Sequence, residues 1–134
     1  YNIIFAWQEL RDLMEVNIDS ARDRLMDMLS NYQGFRGMSL ILVFDAYKVK
    51  GGTGSVLRYH NIDVVFTREA QTADAYIEMV TKELAKDNDV TVATSDGVEQ
   101  MIIWGHGARR MSAGELFEDM EAVNAEIEEI LKKR

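Results

Sequence analysis

Three aspartates stand where this chain turns from an apolar run into a loop or helix. Asp45 closes the run Leu40–Phe44. Asp74 opens the helical segment after Ile62–Phe66, in Thr72-Ala73-Asp74. Asp96 follows Val90–Thr94 across Ser95. In an open parallel sheet, ligands bind beyond the carboxyl ends of the strands. Acids placed just past neighbouring strands therefore converge on one rim. With no His or Cys beside them, they suit Mg²⁺ or Mn²⁺, hard ions that seek oxygen. Such an ion activates water and stabilises a phosphoryl oxyanion. Each acid also has an ordinary local role. Asp96 can cap a helix with Glu99 as its partner, Asp74 can favour a helix dipole, and Asp45 can shape a turn. Capping alone does not require strand-end placement, and the three acids taken together favour a shared site.

Composition narrows the chemistry further. The 134 residues include no Cys and two His. Disulfides, thiolate nucleophiles, Cys-bound zinc and multi-His centres are excluded. The length suits one domain, and no apolar run approaches the roughly 20 residues of a membrane span. No signal-peptide pattern is visible from Tyr1 onward. Net charge is −8, which at face value disfavours a polyanionic partner. The distribution is uneven. Residues 112–134 hold seven acids against three bases, whereas Arg36–Arg68 holds five bases against Asp45 and Asp63.

The run Gly51-Gly52-Thr53-Gly54-Ser55 lacks both phosphate-loop and dinucleotide signatures. Lys48, Lys50 and Arg58 flank it, so it reads equally as a solvated loop or as a contact for a phosphate backbone. Arg109 and Arg110 are a second candidate phosphate clamp, set against ordinary surface charge. His60 and His106 read as structural or exposed, and Trp7 and Trp104 as packing.

The positioning elements follow from periodicity. Residues 1–6 read as the tail of a strand or the start of a loop. Asn17 caps a helix over 18–33, with Gly34 as its exit residue. Met38–Phe44 is a strand apolar on both faces, hence part of a parallel sheet. Residues 46–60 read as loop, Ile62–Phe66 as strand, Thr72–Lys86 as helix and Val90–Thr94 as strand. Gly97–Trp104 is a short helix and 108–111 a short last strand. Ser112-Ala113-Gly114-Glu115 is a capping box that opens a final helix. Strands alternating with helices predict an α/β three-layer fold with a mainly parallel central sheet, in one domain over residues 1–134.

At several points the chain resembles the YacP-like branch of the NYN domains. Tyr1-Asn2-Ile3-Ile4 is similar to the segment after the first strand of that family, whose pattern there is Asp-Gly-Tyr-Asn. Phe44-Asp45-Ala46, Val65-Phe66-Thr67, Thr72-Ala73-Asp74, Ala93-Thr94-Ser95-Asp96 with Glu99-Gln100, and Gly105-His106-Gly107-Ala108-Arg109 with Ser112-Ala113 match in order. The resemblance implies a PIN-like fold and a metal-dependent endoribonuclease, cytoplasmic, acting on single-stranded RNA and associated with mRNA on the ribosome. It implies Asp74, Asp96 and Asp45 as the acids that hold Mg²⁺ or Mn²⁺, Asn2 as a residue orienting the site, and Ser95 and Glu99 as support. It also places the family's first strand and its Asp just ahead of Tyr1. A chain lacking that acid is expected to bind metal weakly and to be inactive, which keeps a non-catalytic RNA- or ribosome-binding module as the alternative. A receiver-type acidic pocket does not fit, because no Lys follows a late strand. Neither a membrane nor a disulfide partner is expected.

Overall fold

The computed structural model describes residues 1–47, 49–95, 97, 105 and 107–133. Their order is α1 (Asn2–Ala6), α2 (Gln8–Val16), α3 (Ile18–Arg36), β1 (Ile41–Phe44), β2 (Ser55–Tyr59), β3 (Ile62–Phe66), α4 (Ala73–Leu84), β4 (Thr91–Ala93), β5 (Arg109–Met111) and α5 (Ala113–Lys132). The fold is mixed α/β. The short helix expected over Gly97–Trp104 falls almost wholly outside the described residues.

The described strands form two sheets rather than one, ordered β1-β3-β2 and β4-β5. β1 runs parallel to β3, and β4 runs parallel to β5. β2 runs antiparallel to β3, so the first sheet is mixed and the expectation of a mainly parallel sheet is corrected there. The expected loop over 46–60 is corrected with it. Ser55-Val56-Leu57-Arg58-Tyr59 is rich in strand-forming residues, and the two-residue turn His60-Asn61 folds it back on β3. His60 takes φ 50° to make that turn. Asn61 fastens the turn to α3, donating to the Ser30 carbonyl at 3.0 Å and to the Gln33 side chain, and accepting from the Ser30 hydroxyl.

Asn2–Ala6 is helical, not strand or loop. Ile4 and Leu10 are fully buried, so this apolar stretch packs as two short helices hinged at Trp7. The Trp7 indole donates to the Ala113 carbonyl at 2.9 Å and ties that hinge to the start of α5. In α3, Asn17 caps as expected by accepting from the Asp19 and Ser20 amides. The helix passes through Gly34 and exits at Gly37, φ 79°. Its extra turn is held by Arg36, which meets Asp119 of α5 at 2.8 Å.

The core is the helical side of the first sheet. Leu25, Met26, Leu29 and Tyr32 of α3, with Leu116, Met120 and Val123 of α5, close over Leu42, Phe44, Ile62 and Val64. The capping box of α5 is present in full, with Ser112 and Glu115 each serving the other's amide.

Candidate functional site

Asp45 is the first residue beyond β1, and one of its carboxylate oxygens accepts from the Tyr47 amide at 2.8 Å. The local turn role is therefore real, and it engages one of two oxygens. The backbone on either side is held by Thr67. Its amide donates to the Phe44 carbonyl at 3.1 Å, and its hydroxyl accepts from the Ala46 amide at 2.9 Å. Asp74 lies in the first turn of α4, half-buried, behind an N-cap in which the Thr72 hydroxyl accepts from the Ala75 amide.

Tyr1 and Asn2 link these acids to β4. The Tyr1 ring lies 5.3 Å from Phe44, the last residue of β1. The main-chain nitrogen of Tyr1 is buried and within electrostatic reach of both Asp45 and Asp74. Both carboxylates thus project their field onto one point. The Asn2 side chain donates to the Thr94 hydroxyl at 3.0 Å and accepts from the Ser95 amide at 3.1 Å. The Ser95 hydroxyl in turn reaches the Asn2 carbonyl at 3.4 Å. The carboxyl end of β4 is thereby stitched to Asn2, beside Tyr1. Asp96 is the next residue in the chain and lies outside the described residues, as do Glu99, Lys48, Trp104 and His106.

The basic candidates divide. Lys50 is exposed in the glycine-rich loop that follows Asp45. Arg58 belongs to β2, opposite Asp63, while Ser55 stands opposite Phe66. At about 3.3 Å per strand residue, Arg58 is roughly 10 Å along the sheet from the Asp45 rim. It pairs there with Asp63 at 3.1 Å. Arg109 stands opposite Thr91, the first residue of β4, and approaches Asp89 at 4.0 Å. Arg110 follows on the opposite side of the strand, within the electrostatic reach of Glu115. Neither Arg58 nor Arg109 is gathered with the acids.

Arg22 escapes a reading of motifs altogether. It donates to the Tyr1 hydroxyl at 2.9 Å, lies over the Phe66 ring at 6.0 Å and pairs with Asp19. Spacing signals only the Asp19 pair, at i,i+3, and not the contacts with Tyr1 and Phe66. Thr67 is different, since a hydroxyl immediately after a buried strand is a visible cue.

The donor set suits a hard divalent ion, being carboxylate, amide and hydroxyl oxygen. Among the described residues, no three acids or histidines cluster at metal-ligand spacing. Asp96 is not one of those residues.

The family model of the YacP-like NYN domain matches residues 1–134. YacP of Bacillus subtilis (strain 168) is 40% identical over 134 residues, covering 99% of this chain and 78% of that protein. The crystal structure of a mutant of Rae1 (YacP) from Bacillus subtilis superposes with a TM-score of 0.85 at 38% identity, over 99% of this chain and 78% of the other. A second Rae1 (YacP) crystal structure gives 0.80 at 39% identity, over 99% and 76%. Matched by that model over residues 1–134 and 40% identical to YacP, the chain belongs to the YacP-like NYN domain family.

Proposed function

We propose that this chain is the catalytic domain of a Mg²⁺- or Mn²⁺-dependent endoribonuclease that hydrolyses phosphodiester bonds in single-stranded RNA. Its setting in this reading is cytoplasmic mRNA engaged by the ribosome. Family membership supports an RNA-related nuclease. The observation that carries the proposal is the gathering of Asp45, Asp74 and the Thr94–Ser95 strand end around Tyr1–Asn2. The reading takes residues 1–134 as one PIN-like, three-layer domain.

Asp45, Asp74 and Asp96 would hold the ion. When bound, it supplies an activated water and offsets charge on the phosphoryl oxygen. Asn2 fixes Thr94 and Ser95, the residues that precede Asp96 in the sequence. Ser95 and Glu99 would support the site. Lys48 and Lys50 would take up phosphate groups. Arg58, Arg109 and Arg110 would meet only RNA that extends past the Asp45 rim.

The test is cleavage of a labelled single-stranded RNA by the full-length protein with Mn²⁺ and with chelator. Cleavage that needs Mn²⁺ and disappears in Asp74→Asn is the expected result. RNA retained but uncut under all conditions would make the domain a binding module instead.

A further inference from the structure

The segment after β3 touches the loop after β1 at five successive points. The Thr67 hydroxyl accepts from the Ala46 amide. The Ala70 amide donates to the Tyr47 carbonyl at 3.0 Å. The Glu69 carboxylate accepts from the Gly51 amide at 2.8 Å, and the Glu69 amide donates to the Gly52 carbonyl at 2.9 Å. At Gly54 the two segments come so close that a Cβ would sit 3.3 Å from the Arg68 backbone, and Gly54 adopts φ 79°. Ala70 itself takes φ 64°, a left-handed conformation unfavourable to an L-residue. The run of hydrogen bonds holds it there. These contacts make the glycine-rich loop an ordered attachment rather than a free connector.

We propose that Thr67–Ala70 is a positioning clamp with two separable ends. Thr67, 2% exposed, fixes the backbone that carries Asp45. Glu69 fixes the part of the loop that carries Lys50. The inference rests on the endoribonuclease reading, because it assigns one end to the reacting acids and the other to RNA. Neither Thr67 nor Glu69 need touch substrate. Glu69 holds the loop through an amide that faces its carboxylate, so the charge is dispensable and the acceptor oxygen is not.

The two ends predict a split in kinetics. Thr67→Val keeps shape and removes the acceptor. It should lower kcat about tenfold at unchanged KM, the scale of one broken hydrogen bond at a half-buried amide. Thr67→Ser should restore kcat. Glu69→Ala should raise KM about threefold at unchanged kcat, in keeping with a more exposed bond, and Glu69→Gln should restore it. Amide exchange followed by NMR in the full-length protein gives a readout independent of activity. Thr67→Val should speed exchange at Ala46 but not at Gly51, and Glu69→Ala should do the reverse. If both variants move the same kinetic parameter, or if neither changes exchange at its own amide, the clamp is overturned. If the unaltered protein shows no metal-dependent cleavage, the endoribonuclease reading fails, and amide exchange alone decides whether the clamp exists.

Discussion

The two ends of the strands in this molecule treat charge in opposite ways. At the carboxyl ends, Asp45 and Asp74 turn their field on one point, and Asn2 draws the end of β4 to it. At the other ends, Arg58 meets Asp63 and Arg109 approaches Asp89, each base beside an acid. The same residue types thus gather like charges at one rim and pair opposite charges at the other. Pairing of exposed groups adds little stability. Gathering like charges costs stability, and it is kept where a cation or a reaction repays it.

The largest effect should come from the acid rim itself. Asp74→Asn should reduce RNA cleavage by about a hundredfold or more, the scale seen when one electrostatic stabiliser is removed from a reacting centre. Asp63→Asn, at the opposite rim, should leave cleavage unchanged. Equal losses in the two variants, measured under single-turnover conditions, would erase the distinction between the rims. Next is the stitch. Asn2→Leu removes both side-chain hydrogen bonds to Thr94 and Ser95 and should cost about 1–3 kcal/mol in urea unfolding. An unchanged midpoint would mean that the β4 end is held by other groups.

Much of the acid rim was legible because its cues are local. β3 occupies the expected Ile62–Phe66, α4 starts at Ala73, one residue after the expected Thr72, and the Ser112–Glu115 box opens the last helix. Asp45 and Asp74 could be placed at strand and helix ends from neighbouring residues alone. What stayed hidden depends on partners distant in the chain. Asn2 finds Thr94 across 92 residues, and no local pattern announces that bond. β2 was obscured by the glycine run before it. The pairing of Arg58 with Asp63 follows from hairpin register, which fixes the rim a charge occupies. Periodicity also ended α3 at Gly34, whereas the helix runs on to Gly37. The Arg36–Asp119 pair that favours the longer helix depends on another element.

Smaller effects sharpen the contrast among the basic residues. For each RNA phosphate that the protein no longer neutralises, the dependence of log K on log salt should flatten by about 0.7 for single strands. Lys50→Ala should show that change and Arg58→Ala should not, in filter-binding titrations over a range of KCl. A flattened slope for Arg58→Ala would extend the RNA path to the paired rim.

The smallest effect concerns a carboxylate with a purely structural setting. The Tyr32 hydroxyl holds Asp119 below the usual carboxylate range, burial opposes the shift, and Arg36 adds to it. A carboxylate depressed in the folded state stabilises the fold above its unfolded pKa, roughly 4. That contribution is lost as pH falls through the lower folded value. Thermal unfolding should therefore lose stability below about pH 4 more steeply in the native protein than in Asp119→Asn. Identical acid limbs would remove Asp119 from the groups that hold α5.

The fastening of Asn61 to α3 also bears on how the chain finds its fold. A hairpin left to itself can slip by one residue, which would turn Val56 and Arg58 toward α3 in place of Leu57 and Tyr59. Asn61 fits Ser30 and Gln33 only when the turn lies at His60-Asn61. These hydrogen bonds cross about thirty positions of sequence and bring the hairpin tip to a helix that a cap at Asn17 already favours. The helix thus serves as a ruler for the strands, and a misaligned hairpin forfeits its anchorage before the rest of the core can close around it.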